Sequence, residues 1–132
     1  MRSENVSGYK YYNPNPEGHR EEDCAIRAIC KALDIDWRTA YTYLTAYGFN
    51  MAHMPDRKQV CNAFLYGRGF RRKLAGDDSG RYTLKDFCAD YPRGLYVVVT
   101  SNHMVCVVDG CYYDSWDSGD EIPEYYWEKA EQ

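Results

Sequence analysis

The chain has 132 residues, a length that fits one domain and leaves no room for a second domain of ordinary size. Hydrophobic residues make up 45% and charged residues 27%, which are values of a folded globular protein rather than of a disordered chain. The sequence lacks an apolar run of about 18 residues, which excludes a transmembrane helix, and residues 1–10 lack the apolar core of a secretion signal. We therefore expect a single-domain cytoplasmic protein.

The net charge of −4 gives no support for general nucleic-acid binding. The charge is nevertheless unevenly distributed along the chain. Residues 57–73 contain six basic side chains and no acid, whereas residues 114–132 contain seven acids and Lys129 as their single base. We expect two solvated faces of opposite sign, and the basic one is also a candidate surface for an acidic partner.

The first 22 residues are polar and rich in turn-forming Asn-Pro pairs, which predicts an N-terminal loop over 1–22. A helix is predicted over 24–33, because Asp23 is a favourable N-cap and apolar residues follow at helical spacing. Three further helices have recognisable start and stop signals. They are 37–47, between Asp36 and Gly48; 57–66, before Gly67; and 83–90, opened by a capping box of Thr83 and Asp86.

The second half of the chain has the composition of β-strands, with β-branched and aromatic residues in short runs. The predicted strands are 70–74, 95–100, 103–108 and 111–116. Asp109-Gly110 is a strong signal for a two-residue hairpin turn between the last two strands. Residues 118–132 are predicted to be an acidic C-terminal tail. Helices followed by an antiparallel sheet indicate an α+β fold.

The six cysteines lack metal-binding spacings such as Cys-x-x-Cys, and in a reducing compartment they are expected to be thiols. Cys24 differs from the other five because it lies in the first turn of a predicted helix, directly after a polar loop. A helix N-terminus favours the thiolate form of a cysteine, which is the nucleophilic form. Cys24 is therefore a candidate nucleophile. The others are expected to be core residues: Cys30, Cys61, Cys88, Cys106 and Cys111.

A thiol nucleophile needs a base, and His103 is the histidine that opens an apolar strand. With 109–110 as the turn, Val108 opposes Cys111 and His103 opposes Trp116. Asp114 is then the diagonal neighbour of His103, on one face with Val105 and Trp116, where its carboxylate can orient the imidazole ring. Asp117 would face the other way and ranks second. Alternation also places Cys106 on the face opposite His103.

Three segments resemble the papain-like cysteine peptidases. Asp-Cys-Ala-Ile-Arg-Ala-Ile at 23–29 is similar to their nucleophile helix, and residues 102–110 are similar to their histidine strand. Asp-Ser-Trp at 114–116 resembles their Asn-Ser-Trp, with Asp in place of Asn. The resemblance implies a central nucleophile helix packed on a C-terminal antiparallel sheet, a Cys24-His103-Asp114 triad, and Trp116 shielding the His-Asp pair from water. A compact bacterial or phage-type member is the best match.

The chain departs from the family pattern before the nucleophile. The family's oxyanion-hole Gln lies about six residues before the Cys, where this chain has Gly18. Asn13, Asn15 or His19 could supply the missing donor, and Asn15 is favoured. The Gly-Ser-Cys-Trp context of the family is also absent, and 132 residues allow only a minimal domain.

The resemblance implies a cysteine peptidase or amide hydrolase that works through a thioester acyl-enzyme, without metal or cofactor. Peptide, isopeptide and small-amide substrates remain open, as does acyl transfer to an amine. One alternative is a catalytically weak or inactive scaffold that binds protein. A second is a zinc site, for which no standard ligand spacing is present. Its ligands would come from Cys24, His103, Cys106, Cys111 and Asp114.

Overall fold

The computed structural model describes residues 8–130, which form an α+β fold of four helices and one six-stranded mixed sheet. The elements in chain order are β1 Gly8–Tyr11, α1 Cys24–Leu33, α2 Trp37–Met51, α3 Lys58–Gly67, β2 Phe70–Leu74, α4 Leu84–Asp90, β3 Leu95–Thr100, β4 Met104–Val108, β5 Cys111–Asp114 and β6 Pro123–Lys129. Within residues 8–130, no helix combines the length and apolar character needed to cross a bilayer.

The sheet has the strand order β1-β5-β4-β3-β6-β2. β1 pairs with β5 in parallel and every other neighbour is antiparallel, so the prediction of a purely antiparallel sheet was wrong at this edge. The prediction of a loop over 1–22 was also wrong for β1. Its sequence, Gly-Tyr-Lys-Tyr, has no β-branched residue, and its partner strand lies about a hundred residues later in the chain. No local sequence pattern could therefore predict β1.

The C-terminal segment is not a tail, because β6 lies inside the sheet between β3 and β2. Trp127 and Tyr126 are buried on its opposite faces. The acidic residues of β6 meet basic neighbours: Glu128 pairs with Lys73 on β2, and Glu124 lies 3.6 Å from Lys58. The basic and acidic segments are thus partly adjacent strands, not two separate faces as predicted.

The helices cover both faces of the sheet. α1, α2 and α3 pack on one face, in a core that contains Ile29, Phe64 and Cys106. α4 packs on the other face with Val105 and an aromatic group that includes Phe87 and Tyr126. α1 lies across β3, β4 and β5, which places its N-terminus near the end of the β4–β5 hairpin.

Element boundaries differ from the prediction mainly at α2. Gly48 does not end this helix, which continues to Met51. The residue is buried, and a Cβ atom there would lie 2.7 Å from the backbone oxygen of His53. Glycine at this position therefore permits the close approach of the following loop rather than a stop. The capping box of α4 forms as predicted, with Thr83 and Asp86 bonding each other's backbone N–H groups.

Candidate active site

Cys24 is the first residue of α1, and the predicted N-cap before it plays a different role. The Asp23 side chain makes no capping hydrogen bond. Its carboxylate instead accepts from Arg27 at 2.5 Å and from the indole N–H of Trp37 at 2.8 Å. The first backbone N–H groups of α1 are consequently without a side-chain cap beside the Cys24 sulfur. Such groups favour a negative charge.

The hairpin register is confirmed for the paired residues, with Val108 opposite Cys111 and Cys106 opposite Tyr113. His103 lies just before β4 and Asp114 is the last residue of β5. The His103 Nε2 atom is 2.6 Å from Asp114 Oδ2. The ring also hydrogen-bonds the Cys24 side chain. Because the carboxylate occupies Nε2, the thiol has to interact with Nδ1. The three side chains therefore form a continuous series.

His103 and Asp114 were predicted to lie on the same face of the sheet as Val105, but they do not. Val105 is buried against α4, whereas His103 contacts Cys24 and Asp114 bonds Arg27, both on α1. The strands end at these positions, so the strict alternation of side chains no longer holds there. The predicted contact is present, but it lies at the end of the sheet, above the start of α1.

The carboxylate of Asp114 is completely buried and every lone-pair direction has a partner. Oδ1 accepts from the Arg27 guanidinium, at 2.9 and 3.2 Å, and from the backbone N–H of Ser115 at 2.8 Å. Oδ2 accepts from His103 and from the hydroxyl of Ser118 at 2.5 Å. Burial alone would raise the pKa of Asp114, but the hydrogen bonds from His103 and Ser118 and the positive charges of His103 and Arg27 hold it below its usual value.

The His103 ring is buried, with 8% of its surface exposed. Burial by itself disfavours the charged ring, yet the hydrogen bonds and negative charges of Asp114 and Cys24 outweigh it and raise the pKa of His103 to about 9. These partners therefore favour the imidazolium form of the ring at neutral pH. An imidazolium next to a thiol favours the thiolate–imidazolium pair that nucleophilic cysteines use.

Arg27 is a functional residue that the sequence analysis did not single out. Only 3% of it is exposed, and its guanidinium bridges Asp114 and Asp23. A signal was present, since Arg27 stands in the apolar run Ala-Ile-Arg-Ala-Ile, where an arginine has to be buried. Because buried charges are almost always paired, an arginine at this position predicts a buried carboxylate partner.

Trp116 covers the His103 ring, with the ring centroids 4.9 Å apart and an interplanar angle of 47°. It lies just after β5 and shields the imidazole from solvent on that side, although 42% of the tryptophan itself is exposed. Asp117, the second-ranked partner of His103, instead accepts hydrogen bonds from the Tyr112 hydroxyl and the backbone N–H of Gly119. It takes no part in the His103 contact.

The remaining cysteines are buried core residues, as predicted, while Cys24 is partly exposed. Burial raises the pKa of four of these thiols to about 12: Cys30, Cys61, Cys88 and Cys106. They therefore stay protonated and unreactive at neutral pH. Within residues 8–130, no group of three or more His, Cys, Asp or Glu side chains could hold a metal ion, so the zinc alternative finds no ligand set there.

Cys24 opens into two adjoining depressions that it shares with His103 and Asn102. The predicted oxyanion residues do not line either of them. Asn15 and His19 line a neighbouring depression, and the side-chain amide oxygen of Asn15 accepts from the backbone N–H groups of Glu17 and His19. Asn13 donates to the His19 carbonyl and so stabilises the same loop. Two amide side chains do reach the Cys24 depressions: Asn102, which directly precedes His103, lines both, and Gln59 lines one of them.

Comparison of the chain with family models, with curated proteins and with solved structures found no match.

Proposed function

We propose that the protein is a papain-like cysteine hydrolase that cleaves a peptide or other amide bond through a Cys24 thioester. The observation that carries this proposal is the contact series from Cys24 through His103 to Asp114, at an uncapped helix N-terminus that opens into a surface depression. Nucleophile, base and orienting carboxylate stand in the order that this chemistry requires.

In the proposed reaction, the Cys24 thiolate attacks the carbonyl carbon of the substrate, and the carbonyl π electrons move to oxygen. The backbone N–H groups at the start of α1 lie where they can donate to this oxyanion. The His103 imidazolium then gives its proton to the departing amine as the C–N bond breaks, which leaves a thioester. Neutral His103 next removes a proton from water, and the resulting hydroxide attacks the thioester. The products are a carboxylic acid and the regenerated thiolate–imidazolium pair.

Asp114 acts through His103 rather than on the substrate. Its hydrogen bond to Nε2 holds the ring so that Nδ1 faces the sulfur, and its negative charge stabilises the imidazolium. Because Arg27 and Ser118 bind the carboxylate as well, Asp114 cannot rotate away from the ring.

A protein-binding scaffold of low activity is the second candidate. The observation that favours it is the absence of Asn13, Asn15 and His19 from the depressions that contain Cys24. Without these three predicted donors, transition-state stabilisation would depend on backbone N–H groups and on Asn102 or Gln59. Loss of one oxyanion donor lowers kcat by roughly a hundredfold or more.

The test is selective alkylation of Cys24 by iodoacetamide at pH 7, followed by peptide mapping. We expect Cys24 to react at least about tenfold faster than the five buried cysteines, and His103→Gln to slow it by about tenfold or more. His53→Gln is the matched control, because His53 is exposed and lines none of the depressions with Cys24. Uniformly slow thiols in the folded wild-type protein would contradict the enzymatic proposal and favour the scaffold.

Turnover is measured on a peptide library, with mass spectrometry of the products. Wild-type protein should generate new peptide ends, and Cys24→Ala should generate none. Products that carry an added amine in place of water would assign the protein to acyl transfer. Cys24 could also react rapidly with iodoacetamide in a His103-dependent way while no peptide in the library is cleaved. That result would show an activated thiol and restrict the proposal to substrates outside the library.

A further inference from the structure

A larger depression, of about 650 Å³, adjoins the Cys24 depressions and extends away from His103. The larger depression shares a rim with the Cys24 depression that contains Trp116. This rim is formed by Arg20, Glu21, Glu22, Ala25 and Asp56. His103 is not among the residues that line the larger depression. A substrate held at Cys24 therefore has a continuous surface on which to extend to this side.

The wall of this depression is apolar and aromatic. Trp37 and Tyr41 stack with ring centroids 5.2 Å apart, and Met54 and Ile26 complete the surface. The Trp37 indole is held in place by its hydrogen bond to Asp23, so the wall is formed before any ligand arrives. Met54 and Tyr41 are 60% and 46% exposed, which leaves apolar surface for a ligand to cover.

The mouth of the depression is acidic. Glu22 and Asp56 are exposed and form no ion pair with another described residue, and Glu21 lies 4.0 Å from His19. Asp23 shares the Arg27 guanidinium with Asp114. Arg20 donates to the backbone carbonyl of Ser115 at 3.0 Å and keeps its positive charge at the rim. Glu21, Glu22 and Asp56 outnumber this guanidinium, so an excess of negative charge remains around the apolar wall.

The opposite side of the nucleophile is less acidic. Arg57 and Lys58 line the depression of about 300 Å³ that contains both Cys24 and His103, together with Asp56. A leaving group has to lie beside His103, because the ring delivers its proton. The side that His103 does not line is consequently the acyl side of the substrate.

From this arrangement we propose that the depression at Trp37 is a specificity subsite for a basic side chain, lysine or arginine, on the acyl side of the cleaved bond. The inference rests on the proposed function for its assignment of sides. The aliphatic stem of the side chain would cover Trp37, Tyr41 and Met54, and its cationic end would lie at Glu22 and Asp56. A neutral side chain of the same length gains only the apolar contact.

The experiment compares two peptidyl chloromethyl ketones that differ only in lysine against norleucine, by their second-order rates of Cys24 modification. The lysine probe should react about three- to tenfold faster, since each exposed carboxylate contributes little alone. The ratio should fall toward one in the Glu22→Gln/Asp56→Asn double variant and in high salt. Asp78→Asn, an exposed carboxylate in a distant loop, is the matched control and should keep the wild-type ratio.

The apolar wall is tested separately with Met54→Ala, which should slow both probes, against Met51→Ala, which lines no part of the depression. Equal rates for the two probes with a rapidly alkylated Cys24 would overturn the subsite while leaving the proposed function intact. If Cys24 proves unreactive, the subsite is decided by equilibrium binding of the corresponding lysine and norleucine peptides to Cys24→Ala. Tighter binding of the lysine peptide that depends on Glu22 and Asp56 would support the subsite, and equal binding would overturn it.

Discussion

At the scale of single residues, the site depends on a buried electrostatic series rather than on three isolated side chains. Five side chains contact one another in sequence: Cys24, His103, Asp114, Arg27 and Asp23. A buried carboxylate is costly unless its charge is compensated, and Asp114 and Asp23 share one guanidinium for this purpose. Arg27 therefore holds Asp114, the orienting member of the proposed triad, in position and also makes its burial possible.

Replacing Arg27 by Met should lower the free energy of unfolding by about 3–5 kcal/mol, because two buried carboxylates lose their common cation. Arg27→Lys keeps the charge but loses the forked contact, so a smaller loss is expected. Urea unfolding at pH 7 measures both. A loss below about 1 kcal/mol in Arg27→Met would contradict this account.

The same variant should change the acid limb of the stability profile. The folded pKa of Asp114 is depressed, so its contribution is present above the unfolded pKa and is lost as the pH falls through the folded pKa. Without Arg27 this folded pKa rises. The pH at which acid unfolding begins should therefore be clearly higher in Arg27→Met than in the wild type. In Arg27→Lys, the milder variant, this pH should equal that of the wild type or lie slightly above it.

His103 produces a pH dependence of the opposite sign. Its folded pKa is raised from 6.5 to about 9, so its stabilising contribution is complete below pH 6.5 and is lost as the pH rises through about 9. The free energy of unfolding of the wild type should fall over this window relative to His103→Gln, which has no titrating ring. Parallel profiles for the two proteins would show that His103 is not charged in the folded state.

At the scale of elements, the site is assembled by the ends of helices and strands. α1 supplies Cys24 at its first residue, β4 begins directly after His103, and β5 ends at Asp114. The residue directly after β1 stabilises this last position, since the backbone N–H of Tyr12 donates to the Asp114 carbonyl at 2.8 Å. The loop after α2 supplies Asp56, which borders every depression around Cys24.

Gly48→Ala tests how that loop is held. Alanine normally stabilises a helix interior relative to glycine by up to about 1 kcal/mol. Here the added Cβ would lie 2.7 Å from the His53 oxygen and 3.3 Å from the Pro55 nitrogen, both backbone atoms. We expect a loss of about 1–3 kcal/mol in the free energy of unfolding.

Gly67→Ala is the matched control in α3. Its Cβ would meet the hydroxyl end of the Tyr47 side chain, which can turn aside. This variant should be close to neutral in urea unfolding. Stabilisation by both substitutions would mean that the loop after α2 is not packed closely against Gly48.

At the scale of the whole molecule, the sheet joins the two ends of the described chain to its middle. β1 from the N-terminal part completes one edge, and β6 from the C-terminal part lies between β3 and β2. β6 contributes Trp127 to one core and Tyr126 to the other. The two cores on either face of the sheet therefore both depend on this last strand.

A chain that ends at Ile122 should consequently lack a cooperative unfolding transition, because β2 and β3 lose the strand between them and both cores are opened. A chain that ends at Ala130 keeps all of β6 and serves as the control. Near-ultraviolet circular dichroism during urea titration distinguishes the two. A cooperative transition in the shorter chain would show that β6 is an accessory strand.

Local patterns predicted most of the elements. Apolar periodicity predicted α1 and α3, and the capping residues Asp36 and Thr83 predicted the starts of α2 and α4. The Asp109-Gly110 turn set the register of the hairpin that carries His103 and Asp114. β1 and β6 were missed because their partners lie far away in the chain. Tyr-rich and acidic segments show no strand character until a neighbouring strand provides the hydrogen bonds and the opposite charges.

The sequence by itself determined the α+β class, the hairpin register and the candidates Cys24, His103 and Asp114. These follow from short-range rules, namely helix starts and the two-residue turn. Three features were decided only by the tertiary structure. The Asp23 carboxylate binds Arg27 and Trp37 instead of capping α1, and the Asn15 side chain stabilises its own loop. The acidic C-terminal segment forms a strand inside the sheet. Each of these depends on which charges and backbone groups become buried together. That is a property of packing between distant parts of the chain, because a buried charge takes whatever partner the fold brings to it.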